Sequence, residues 1–232
     1  MAEHEQRCIE RRLENRSVEL VCNNGLVERA SAAWLDGVDA LIVGGSAAYS
    51  VHHPRSAPWV DALRKLLDAA LERNLPSFGI CFGHQLLAYH LGAPVITDEE
   101  RAEVGTIDVT LTEAGSGDPL FEDCEPILAV HTGHSDLVAA IPHAVDLLGA
   151  SDTVETQIFR VRGACFYSTQ FHPDLTGAEA IARYTAYKQS MSEALSPEVA
   201  HAVSRFRPGS DAAALLLGRF LDLVAQPKAS VV

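Results

Sequence analysis

The chain has 232 residues, 47% of them hydrophobic and 21% charged, with a formal net charge of -13. That length holds one large α/β domain or two small ones, and that composition excludes global disorder. The negative charge excludes nucleic acid as the main partner, because binding phosphates needs a basic face. Five cysteines (Cys8, Cys22, Cys81, Cys124 and Cys165) are odd in number, widely spaced and without a Cys-x-x-Cys pair. Neither a disulfide framework nor a zinc ribbon is expected from them. The opening stretch MAEHEQRCIERR lacks the apolar stretch of a signal peptide. No apolar run approaches the roughly 18 residues that span a bilayer. A cytoplasmic protein without membrane contact is expected.

Residues 3–16 have helical composition, with Cys8, Ile9 and Leu13 as apolar anchors. Residues 17–22 (SVELVC) alternate and predict a strand; 28–36 predict a short helical or loop connection. VDALIV (38–43) is a continuous apolar run ending in Gly44-Gly45, the pattern of a buried parallel strand with a tight turn after it. Pro58 opens a helix to about Asn74, with Val60, Leu63, Leu66, Leu67 and Leu71 on one face. PSFGI (76–80) reads as a strand and GHQLLAYHL (83–91) as a helix stopped by Gly92 and Pro94. From about 95 to 171 the pattern is β-rich, with strands predicted at 104–111, 126–131, 145–151, 156–161 and 164–171. Residues 178–226 read as mostly helical. No repeat or linker divides the chain, so a single domain over 1–232 is expected, with a core over about 3–175 and a helical C-terminal extension. Alternating strands and helices predict an α/β three-layer fold around a mostly parallel central sheet.

Residues 79–83 read Gly-Ile-Cys-Phe-Gly, between a strand and a helix. This is the spacing of a nucleophile elbow, in which the middle residue takes a strained conformation and any nearby Cβ would clash. The turn sets the Cys81 sulfur at a helix N-terminus, where the dipole favours an anion. A buried cysteine would need no such flanking glycines; Cys8, Cys22, Cys124 and Cys165 have none and read as core or incidental residues. A cysteine nucleophile needs a base at the end of a neighbouring strand. Gln170-Phe171-His172-Pro173-Asp174 supplies a histidine where an apolar strand ends and a carboxylate two residues later, able to orient the imidazole. Alone, that histidine would pass for a loop residue beside a helix cap.

GICFGHQLLA followed by QFHPD resembles the class I (triad) glutamine amidotransferases, and LTEAGSGDPLF resembles their stand-alone, GMP-synthase-like branch. The resemblance covers about residues 3–175 and implies a flavodoxin-like fold. It also implies Cys81 as nucleophile, His172 as base and Asp174 as the third member. Backbone N–H groups of Gly45 and Phe82 would form the oxyanion hole. Gly44 and Gln85 would border the substrate, as would His134, Ser135 and Asp136. The implied reaction hydrolyses the side-chain amide of glutamine through a γ-glutamyl thioester, without cofactor or metal. Ammonia would pass to a separate synthetase subunit, or the enzyme would only hydrolyse. A γ-glutamyl peptide or a polyamine adduct presents the same amide, so a hydrolase of such substrates is the alternative. A non-catalytic binding or regulatory subunit of the same fold is the alternative of another class.

Two departures from the family pattern stand out. Asp174 replaces a glutamate and is one methylene shorter. The sequence begins at what resembles the family's first helix, so the usual first strand is missing. A gap there would leave unpaired backbone and an exposed edge, to be covered by a homodimer contact or expressed as weak solubility. A complete seven-stranded sheet built from this chain alone would remove the reason to expect the gap. Close histidines occur at 52–53 and at His131-Thr-Gly-His134, the latter expected in a loop; His84 and His90 fall on opposite sides of one helix. None converges as a metal set would.

Overall fold

The computed structural model describes residues 2–46, 48–191, 196–209 and 211–225. Helix α1 (Ala2–Leu13) buries Cys8, Ile9 and Leu13, one stripe of its surface. Strand β1 (Leu41–Val43) leads through the Gly44-Gly45 turn towards α2 (Ala57–Glu72). Strand β2 (Ser77–Ile80) runs into α3 (Phe82–His90) with Cys81 alone between them. Strands β3 (Val95–Thr97) and β6 (Asp136–Val138) form a small antiparallel pair that the sequence pattern did not show. Strands β4 (Glu103–Leu111), β5 (Ile127–His134), β7 (Val145–Ala150), β8 (Ile158–Val161) and β9 (Phe166–Thr169) complete the main sheet. A short helix, α4 (Glu113–Ser116), lies between β4 and β5. Helices α5 (Gly177–Ser190), α6 (Pro197–Ser204) and α7 (Leu216–Ala225) follow. The expected helical stretch 178–226 includes 192–195, 210 and 226, which lie outside the described residues.

The main sheet has seven strands in the order β1-β2-β9-β8-β7-β4-β5. Pairing is parallel for β1–β2 and β2–β9 and antiparallel for the rest, so the α/β sheet is mixed rather than mostly parallel. The two faces are buried differently. Phe78, Ile80 and Tyr167 join Ile9 and Leu13 of α1 and Leu216, Leu217 and Phe220 of α7. Phe166 and Phe159 face the other way, with Val60, Leu63 and Leu67 of α2 and Leu86 and Leu87 of α3. This is the three-layer arrangement. Helix α7 belongs to the core: Phe220 is fully buried, 5.4 Å from Phe78 and 6.5 Å from Tyr167 between ring centres.

The expected strand at 17–22 does not form. All seven strands come from this chain, so the internal gap expected from a missing first strand is not there. What the sheet lacks, among the described residues, is a strand outside β1. The Leu41 amide donates to Pro76 at 2.9 Å, so alternate residues turn their N–H and C=O away from β2, and Ile42 presents its own to the free edge. Across that edge a cavity of about 1110 Å³ separates β1 from residues 17–26. Without a neighbour to bond, SVELVC forms no ladder, and Val18 and Val21 are 46% and 65% exposed. No helix among the described residues is long and apolar enough to cross a membrane.

Candidate active site

The geometry begins with two glycines. A Cβ on Gly79 would stand 2.8 Å from the backbone of Gly83, and one on Gly83 would stand 2.2 Å from the Val43 carbonyl oxygen. Only glycine lets β2, the turn and β1 approach this closely. Between them Cys81 has φ +50 and ψ -96, a conformation that a side-chain-bearing residue adopts only under constraint. Its N–H is pinned to the Thr169 carbonyl at 2.8 Å, and its carbonyl accepts from Gln85 at 3.0 Å. Phe82 N–H is the first amide of α3, a position with no acceptor inside the helix.

His172 lies beyond β9, held by its N–H to the His131 carbonyl at 2.9 Å. Its Nδ1 is 3.0 Å from Asp174 Oδ1, which leaves Nε2 for the sulfur of Cys81. Burial alone would push His172 below its usual pKa; the Asp174 charge and hydrogen bond, and the Cys81 sulfur, override it and raise it to about 10. Burial likewise opposes ionisation of Asp174, but His172 and the guanidinium of Arg183 hold its carboxyl below the usual range. Gly45 adjoins this group: a Cβ there would lie 3.0 Å from His172 Cε1 and 3.8 Å from Cys81 Cβ. Cys81, His172, Asp174 and Gly45 are thus brought together from three segments, those that follow β2, β9 and β1.

Asp174 is fully buried, and its shorter side chain does reach the imidazole. Its second oxygen, Oδ2, lies 2.6 Å from Arg183 Nη2 of α5. Arg183 escaped the sequence reading because it stands outside both motifs, in a helix of unremarkable polarity. Gln170 was passed over as part of a strand; its Nε2 lies 3.7 Å from Cys81 Sγ.

The remaining expected residues are placed differently. Gln85 donates inward, to the Asp136 carbonyl at 2.8 Å and to Gln170 Oε1 at 3.2 Å. Asp136 accepts from Thr97 at 2.6 Å. His134 is bound to Glu103 at 3.1 Å; that buried carboxylate also accepts from Ser151 and Gln157, both at 2.6 Å. Ser135 accepts through its backbone from Asp98 at 2.9 Å. Among the described residues, no hydrogen bond joins His134, Ser135 or Asp136 directly to Cys81 or His172. The sequence His131-Thr-Gly-His134 ends β5 rather than forming a loop, so these two side chains point to opposite faces. His84 is buried against Ser168 Oγ at 2.9 Å, and His90 pairs with Asp68.

Glu5 is the unforeseen neighbour. Its Oε1 accepts from Gly45 N–H at 2.6 Å. Glu5, His172 and Asp174 offer ligand atoms within 4.8 Å of one another, a spacing that could hold an ion. The Arg183 guanidinium against Asp174 opposes a cation there.

The family model for glutamine amidotransferase class-I matches residues 5–188, and the chain belongs to this family. It is 30% identical over 142 residues to a glutamine amidotransferase-like protein of Schizosaccharomyces pombe, a match covering 60% of this chain and 54% of that one. It is 29% identical over 137 residues to a glutamine-hydrolyzing GMP synthase of Cytophaga hutchinsonii, covering 57% of this chain and 26% of that one. The chain therefore spans about half and about a quarter of these relatives. A crystal structure of a glutamine amidotransferase from Thermotoga maritima shares the fold, with TM-score 0.66 and 20% identity over 83% of this chain and 80% of that one.

Proposed function

We propose that the protein hydrolyses the side-chain amide of glutamine to glutamate and ammonia. The observation that carries this reading is the strained Cys81 turn facing a buried His172–Asp174 pair, with Gly45 beside it. With a pKa near 10, His172 is an imidazolium at neutral pH, able to pair with a Cys81 thiolate. The thiolate attacks the γ-carbonyl carbon, and the carbonyl electrons move to oxygen, facing the amides of Gly45 and Phe82. His172 gives its proton to the departing nitrogen as the C–N bond breaks, leaving a γ-glutamyl thioester and ammonia. The now neutral His172 takes a proton from water, which attacks the thioester and releases glutamate. Asp174 orients the imidazole throughout, and Arg183 orients Asp174. No cofactor enters these steps.

The name of the glutamine-hydrolyzing GMP synthase relative supports glutamine as substrate, and a separate synthetase subunit would be the acceptor of the ammonia. The test is glutamate release from glutamine by wild type and by Cys81→Ala. Release by wild type alone is the expected result. Equal rates from both proteins would refute the reading, and release from γ-glutamyl peptides alone would replace glutamine by that wider class.

A further inference from the structure

The Gly45 amide, to which the preceding reading gives the oxyanion, already has a partner. Glu5 of α1 reaches it at 2.6 Å. Its carboxylate also fills the space above Gly44, where a Cβ would meet the Glu5 carboxyl carbon and both oxygens at 2.9–3.0 Å. A carboxylate oxygen and a tetrahedral oxyanion make the same demand on this donor: a negative oxygen at hydrogen-bonding distance. One N–H so occupied cannot serve both with good geometry.

We propose that Glu5 is a built-in competitor for the oxyanion site, so that turnover requires its carboxylate to leave Gly45. The inference rests on the acyl-transfer reading of Cys81. Three features support it. Position comes first: a point over Gly45 lies 3.2 Å from Glu5 Oε1, 3.0 Å from His172 Cε1 and 3.8 Å from Cys81 Cβ, so the carboxylate stands at the reacting centre. Charge comes second: Glu5 lies within 4.8 Å of His172 and Asp174, where burial and the Asp174 carboxylate raise its pKa, and Arg183, the Gly45 N–H and His172 oppose that rise, so the Gly45 bond is one of the contacts that favour its carboxylate form. Attachment comes third. Helix α1 is fastened elsewhere, through Arg11 and Arg12 to Glu179 and through the buried Ile9 and Leu13. Release of Gly45 therefore needs only a rotation of the Glu5 side chain, while the helix stays docked. Substrate must displace one charge-assisted hydrogen bond, which sets the size of the effect at about tenfold or more.

The experiment compares wild type, Glu5→Ala and Glu5→Gln, with thermal unfolding as a check that all three are folded. Two alkylating agents are used on Cys81. A chloromethyl ketone on the glutamine skeleton forms a tetrahedral oxyanion; iodoacetamide reacts by direct displacement at carbon and forms none. The ratio of their rates isolates the oxyanion site from any change in sulfur reactivity. The ratio is expected to rise about tenfold or more in Glu5→Ala, and less in Glu5→Gln, whose amide oxygen still accepts from Gly45. Glutamate release should rise in the same order. A ratio unchanged or lowered in Glu5→Ala would overturn the proposal. A raised ratio without glutamine turnover in any of the three would uphold the competitor and refute glutamine as substrate. Failure of Cys81 to react with either agent would refute the acyl-transfer reading and this inference with it.

Discussion

Replacing Gly83 by alanine tests the central geometric statement about the elbow. Gly83 is the second residue of α3, and in an exposed helix this change stabilises by about 1 kcal/mol. Here the new Cβ would stand 2.2 Å from the Val43 carbonyl oxygen, inside the 3.0 Å that real Cβ atoms essentially never breach. The obstacle is backbone on both sides, so β1 and α3 must separate. Overpacking of this kind costs about 1–3 kcal/mol, a contact this short belongs at the upper end, and setting about 1 kcal/mol of helix preference against it leaves a loss of about 2 kcal/mol. For a chain of this size that lowers Tm by about 4–8 °C. Displacement of β1 also carries the Gly44-Gly45 turn away from Cys81. A misplacement near 1 Å costs about a hundredfold in rate, so glutamate release should fall by about that factor. Differential scanning calorimetry and a glutamate assay read the two effects. Gly133→Ala is the control, since a Cβ there meets nothing within 4 Å. A Gly83→Ala protein with unchanged Tm and unimpaired activity would show that the close approach of β1 and α3 does not constrain the turn.

Four further expectations follow. Asp174→Glu should lower activity, because the side chain is fully buried between His172 and Arg183 and a further methylene must displace one of them; equal or higher kcat would refute this. Arg183→Met should cost about 3 kcal/mol by leaving the buried Asp174 carboxylate with one charged partner fewer, seen as a lowered denaturant midpoint. In the pH dependence of stability, His172 is raised, so its contribution is complete below its unfolded value near 6.5 and fades as pH rises through about 10. The lowered Asp174 contributes above its unfolded value near 3.8 and loses that contribution as pH falls through its folded value. The Tm difference between wild type and Asp174→Asn should therefore be greatest between these limits and shrink towards pH 10; a flat difference would refute the pairing. Phe220→Ala should destabilise by about 3–5 kcal/mol through the cavity left against Phe78 and Tyr167, and a change under about 1 kcal/mol would deny α7 its place in the core.

Much of this site was legible before any coordinates. Gly-x-Cys-x-Gly constrains a turn through the close contact of Gly79 with Gly83, four positions on, so the elbow at Cys81 is legible in five letters, although Gly83 also faces Val43, forty positions away. The apolar runs before Gly44 and before His172 fixed two more strand ends by the same local logic. The helices α2 and α3 followed from their apolar stripes and their stops. These features share a cause: the deciding interactions are short-range, or are simple burial with a regular period.

The rest depended on partners distant in sequence. SVELVC has strand propensity, but a strand exists only when a neighbour accepts its hydrogen bonds, and none lies beside it. His134 looks like a pocket residue until Glu103, thirty-one positions earlier, is found holding it. The orientation of β7 and β8, and with it the mixed character of the sheet, rests on pairing that no local pattern reports. Arg183 and Glu5 sit on ordinary-looking helices, and only packing brings one to Asp174 and the other to Gly45. The sequence by itself singled out Cys81, because local backbone constraint marks it, and offered His172 only as the strand-end histidine that pairs with such a cysteine. Tertiary structure alone decided which charges surround them, because the energy of a buried ion pair depends on a distance that sequence spacing does not contain.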